Sequence, residues 1–151
     1  MAMKLISFTR QTSPSDYFKT FNDPVTVFND GTEIYKTPFG RTSPNPAQPG
    51  TGKIWDNVYG IIAIGTYDAE CIQDENHGKC LLIAGGNEIA AAMPNSNHEM
   101  RHVVNGALVH SSDTNTWSGS AACLTIKKSE WNNFISLFNI GEKVKVEIKG
   151  L

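Results

Sequence analysis

Short apolar runs recur along the whole chain, none longer than about seven residues, and polar or Gly/Pro-bearing turns separate them. This is the pattern of many short strands rather than of a few long helices. The first candidate strand covers residues 4–9. Residues 25–28 and 32–35 flank Asn29-Asp30-Gly31, and the Asp-Gly pair accepts the positive φ that a tight hairpin turn demands. Further strands are expected at 60–67, 67–72, 79–83, 88–92, 107–110, 124–126 and 144–148. Residues 37–53 carry Pro44, Pro46 and Pro49 close together, which excludes regular structure and predicts a connector or, as the less simple reading, a flap over the cleft. One stretch has helical spacing: Trp131, Phe134, Ile135 and Phe138 line one face, with Ser129 placed as the N-cap.

Many short strands and a single short helix near the C-terminus predict a mainly β fold, closed or sandwich-like, rather than a βαβ sheet. With 151 residues and no repeat or linker, the chain is expected to form one domain over 1–151. Charged residues make up 19% and the net charge is −2, so the basic field that binds nucleic acid is missing. No apolar run approaches the roughly 20 residues of a membrane span, and no membrane insertion is expected. Residues 1–10 turn polar after a few apolar positions and lack a signal-peptide pattern, so synthesis in the cytoplasm without a general export signal is expected.

Cys71 and Cys80 flank the polar segment 72–79, which reads as a β-hairpin. Opposed positions on a hairpin come within disulfide range, so a Cys71–Cys80 bridge is one expectation and three reduced cysteines the other. His77 with Cys80, and His98 with His102, have spacings seen among metal ligands. Without a second Cys-x-x-Cys pair or a helix long enough to align His98 and His102, no metal and no cofactor are expected.

The strongest chemical signal lies further on. An apolar strand, Gly106-Ala107-Leu108-Val109, ends in His110-Ser111, and thirteen residues after the histidine Cys123 opens a second apolar run, Leu124-Thr125-Ile126. A histidine near a cysteine can lower the thiol pKa and make a nucleophile. The plainer alternative is an inert buried cysteine and a strand-end histidine that only packs.

These residues carry a family resemblance. Val109-His110-Ser111 and Ser120-Ala121-Ala122-Cys123 resemble the active-site segment of L,D-transpeptidase (YkuD-like) domains, peptidoglycan-acting cysteine enzymes whose signature is a strand-end His, often followed by Ser, and a loop closing on Ser-x-Gly-Cys. The resemblance covers residues 104–138, and residues 60–67 are similar to the family's degenerate Pro-x-Gly-x-Tyr/Phe strand entry. Residues 1–58 match nothing recognisable. Three positions depart from the pattern: Ala122 stands for the usual Gly, Ala121 for a second His, and Thr125 for Arg or Asn.

The resemblance implies an L,D-transpeptidase-like β-sandwich or barrel with one short helix. It implies Cys123 as nucleophile on a peptidoglycan stem peptide, His110 as base, and Ser111 orienting the imidazole through its backbone carbonyl. The N–H groups of Ala122 and Cys123 would form the oxyanion hole, with Ser120 supporting the loop. Trp117, Tyr59 and Tyr67 would line the cleft or simply pack. Because peptidoglycan lies outside the cytoplasm, delivery by a secretion system such as type VI, or by phage lysis, is expected, and an antibacterial effector would have an immunity protein as partner. Two other classes stay open: a non-catalytic wall-binding or virion module that kept the fold, and a cysteine peptidase or amidase acting on proteins.

Overall fold

The computed structural model describes residues 3–11, 21–42, 61–92, 103–104, 106–113 and 123–150. Apolar side chains at every second position favour pleated backbone with one buried face. Among the described residues this gives eleven strands: β1 (Lys4–Arg10), β2 (Asp23–Asn29), β3 (Thr32–Arg41), β4 (Ile61–Ile62), β5 (Gly65–Asp74), β6 (Gly78–Ile83), β7 (Ile89–Ala92), β8 (Val103–Val104), β9 (Leu108–Ser111), β10 (Leu124–Ile126) and β11 (Lys143–Gly150). Among the described residues there is one α-helix, α1 (Lys128–Ile135), shortly before β11.

Eight strands close into a barrel in the order β1-β11-β5-β6-β9-β10-β3-β2, while β4, β7 and β8 form a small separate sheet. Closure removes the exposed edges that an open sheet would leave. The β1–β11 and β9–β10 pairs are parallel and the other pairs antiparallel. The fold is thus mainly β with a single short helix near the C-terminus, and the closed form is the one adopted.

One register runs around the barrel wall. Ile6 lies opposite Val27 and Val146, Cys71 opposite Leu81, Leu81 opposite Val109, and Val109 opposite Leu124, all of them buried. The helix adds Trp131, Phe134 and Ile135 to this core, followed by Phe138. Phe134 is fully buried, with ring centroids 5.5 Å from Trp131 and 5.2 Å from Phe138.

The Asn29-Asp30-Gly31 turn forms as its sequence predicts, with φ of 53° at Asp30 and 80° at Gly31. Four expectations are corrected. The Cys71–Cys80 bridge is absent: all three cysteines are thiols. The reason is register, since Cys71 pairs with Leu81 and Cys80 with Ile72, so the two side chains leave opposite faces of the hairpin. Ser129 is not the N-cap, because α1 begins at Lys128 and the Lys128 N–H is donated to the Ser112 hydroxyl at 2.8 Å. The connector begins later than residue 37, because β3 runs on to Arg41. The strand expected over 60–67 breaks between β4 and β5.

Candidate active site

Outward-facing positions of a barrel are normally wet, yet on four neighbouring strands they are buried. Alternation from Leu81, Val109, Leu124 and Gly40, which face inward, sends Cys80, His110, Thr125 and Arg41 to the other face. Cys80 and Thr125 are 0% exposed, and His110 and Arg41 2%. Thr125 pairs with His110 on one side and with Arg41 on the other, so the three form one cross-strand row. A buried polar row outside a barrel's main core is where chemistry, rather than packing, is to be sought.

His110 ends β9. Its Nδ1 lies 2.7 Å from the carbonyl oxygen of Ser111. A carbonyl only accepts, so Nδ1 carries the proton and Nε2 presents a lone pair. The Ser111 hydroxyl turns away and donates to the Ser112 carbonyl at 2.9 Å. Ser111 therefore meets the imidazole through its backbone. The ring's free rotation is removed by a group that cannot itself be protonated.

Cys123 leads directly into β10. Leu124 pairs with Val109 and Thr125 with His110, so Cys123 lies two positions before the residue that stands beside His110. The Leu108 N–H points to Cys123 Sγ at 3.3 Å, tying the sulfur to the start of β9. Strand pairing thus places His110 on β9 and Cys123 at the entry to the neighbouring parallel strand β10.

Electrostatics correct one expectation. The imidazole was expected to lower the thiol pKa, but burial pushes Cys123 above its ordinary value, opposed by backbone N–H donation from Leu108 and from its own amide. Burial also lowers His110, a trend that the Ser111 hydrogen bond opposes and His77 reinforces. Both shifts favour uncharged groups, so the resting pair is thiol and neutral imidazole rather than thiolate and imidazolium. Cys80, in the same buried layer, is pushed up to about 12, first by burial and then by Asp74.

A residue that the sequence suggested only as a metal ligand stands against His110. His77, in the β5–β6 turn, has its ring centroid 4.5 Å from that of His110, tilted by 41°. Asp74 accepts the His77 backbone N–H at 3.0 Å and contacts its Nδ1 at 2.8 Å. Asp74 and Arg41 carried no signal in sequence, the first read as hairpin polarity and the second as the connector. Among the described residues no three His, Cys, Asp or Glu side chains could hold a metal together.

The Thr125 hydroxyl is buried without a hydrogen-bond partner among the described residues. Tyr67 is not brought to the pair: its hydroxyl donates to the Ala63 carbonyl, and its charged neighbour is Arg10. Arg10 in turn donates to Thr42 and to the Ile62 carbonyl, and Asp23 accepts from Gln11 and Thr42, a polar knot joining β1, β2, the end of β3 and β4. Tyr59, His98, His102, Trp117, Ser120, Ala121 and Ala122 lie outside the described residues.

No family model matches the chain. No curated protein matches it either. Among solved structures the chain is similar to Mycobacterium tuberculosis L,D-transpeptidase 1, with 10% identity and a TM-score of 0.47 over 99% of this chain and 62% of that one. The chain therefore spans less than two thirds of that protein. A likeness at this level assigns no residue a role, and the chemistry of the site rests on its own residues.

Proposed function

We propose that the chain is a cysteine-dependent acyl-transfer domain acting on peptidoglycan stem peptides, with Cys123 as nucleophile and His110 as base. The observation that carries this reading is the His110 Nδ1 contact with the Ser111 carbonyl, which leaves Nε2 as an acceptor on the strand next to the one that Cys123 leads into. Packing alone would not require a fixed tautomer on a buried imidazole.

The chemistry follows from the neutral resting pair. As Sγ attacks the stem-peptide carbonyl, His110 Nε2 takes the thiol proton, so sulfur gains charge only as the new C–S bond forms. The N–H groups of Ala122 and Cys123 would hold the oxyanion. Collapse breaks the C–N bond, the imidazolium gives its proton to the departing amine, and a thioester remains. An incoming amine or water then attacks the thioester, its proton passing to His110, and Cys123 is released as thiol. An amine acceptor makes this transpeptidation or D-amino-acid exchange, and water makes it carboxypeptidase action. A substrate in the wall carries with it delivery of the protein from the cytoplasm by a secretion system or phage lysis, and an immunity partner if the protein is an antibacterial effector.

The burial of Cys123 and its raised pKa favour a second reading, a wall-binding module that retains an inert thiol. One experiment separates the two. Wild type and Cys123→Ala are incubated with peptidoglycan sacculi and soluble tetrapeptide muropeptides, with and without a free D-amino acid, and products are read by mass spectrometry. Loss or exchange of the terminal D-residue, or a cut cross-link, seen only with wild type, supports the enzyme. Unchanged substrates, with both proteins pelleting with sacculi, support the module.

A further inference from the structure

The β5–β6 turn brings to His110 a side chain that the thiol–imidazole pair does not account for. We propose that His77, held by Asp74, is the positioning residue of His110: it covers the imidazole face and fixes the ring against the Ser111 carbonyl. The proposal rests on the reading of His110 as the base and adds a third and a fourth residue to it.

Three observations carry it. The rings of His77 and His110 are 4.5 Å apart between centroids, which is direct contact. His77 is itself fixed: Asp74 accepts both its backbone N–H and its ring, while the Asn76 N–H reaches the same carboxylate oxygen at 3.0 Å. Gly78, at φ 67°, follows at once, a conformation that lets the turn fold His77 back over the barrel wall. Two of these bonds are made by His77 and the third by Asn76, all to one carboxylate oxygen. Here those bonds aim its ring at an otherwise buried imidazole.

The consequence is electrostatic as well as steric. The groups that act on His110 are His77 and Asp74 from the turn and Asp113 beyond β9; Thr125 stands beside it on β10 with Arg41 beyond in the same row, Cys80 lies on β6 in the same buried layer, and Cys123 precedes β10. A protonated His77 sets a cation against the ring and disfavours a second one. This works in the same direction as burial and keeps Nε2 available as an acceptor. Removing His77 therefore removes one of the influences that hold His110 below its ordinary value.

The test uses the whole chain and reads histidine ring signals by NMR as pH is varied, in wild type, His77→Phe, Asp74→Ala and, for assignment, His110→Asn. Phe keeps an aromatic cover and loses the charge and the bond to Asp74, and Ala removes the acceptor that holds His77. The expected results are a higher His110 titration midpoint in His77→Phe, and loss of the inter-ring NOE between His77 and His110 in Asp74→Ala. A His110 midpoint unchanged in His77→Phe, or an inter-ring NOE that survives in Asp74→Ala, overturns the proposal. In the wall assay, His77→Phe is expected to lower kcat about tenfold with KM little changed, and to move the acid limb of the pH profile upward. Cys123→Ala serves as the separate control. If it matches wild type on peptidoglycan, the reading of the site as a wall enzyme falls, while the NMR arms, which need no substrate, still judge His77.

Discussion

His110 Nδ1 donates to the carbonyl oxygen of the next residue, Ser111, at 2.7 Å. A histidine bonded to its own neighbour's backbone is oriented by the strand end itself, so its direction depends on β9 and not on a distant side chain. The bond requires the Nδ1–H tautomer and survives protonation, whereas burial opposes protonation.

This fixes a pH dependence of stability. Unfolded His110 has the ordinary value of 6.5, and burial first of all lowers it in the folded protein. Between the folded value and 6.5 the unfolded chain binds the proton and the folded chain does not, so stability rises with pH across that window. The contribution is complete above the unfolded value and is lost as pH falls through the folded one. Urea midpoints of wild type should therefore drop on mild acidification more steeply than those of His110→Asn. Parallel pH slopes for the two proteins would show that His110 contributes nothing.

Cys123 should resist alkylation. Its thiol is raised above the ordinary 9.0 by burial, so the iodoacetamide rate should climb with pH through that value without an early plateau. Rapid labelling at mildly acid pH, read by mass mapping, would instead mean a preformed thiolate–imidazolium pair and would sink the neutral resting state.

Thr125→Val should stabilise the protein by about 1 kcal/mol, because it removes a buried hydroxyl that lacks a partner among the described residues and keeps the side-chain shape. Chemical denaturation measures this directly. A clear loss of stability would mean that the hydroxyl is satisfied in the folded state.

Gly40→Ala tests the barrel seam. A Cβ there would stand 2.4 Å from Val25 Cγ2 and 2.5 Å from the Asp23 carbonyl oxygen, both in the barrel wall. Asp23 pairs with Gly40 across the β2–β3 bulge, so neither neighbour can move freely. A loss of about 1–3 kcal/mol or more is expected in the same denaturation experiment. A variant as stable as wild type would mean that this seam yields.

Much of this protein is legible along the chain because it is local. The Asp30-Gly31 turn follows from a backbone preference, β11 from alternation, and the buried face of α1 from the spacing of Trp131, Phe134 and Ile135; each needs only neighbouring residues. The placement of His110 at a strand end and of Cys123 at the entry to another was readable for the same reason. Register and pairing were not, since they depend on which strands meet. A one-residue offset in the β5–β6 hairpin separated Cys71 from Cys80. The meeting of β3 with β10 set Arg41 beside Thr125, and the path of a turn laid His77 on His110. Burial, which made the site pair neutral instead of ionic, is likewise a property of the closed barrel: a side chain loses water only when the elements around it have come together.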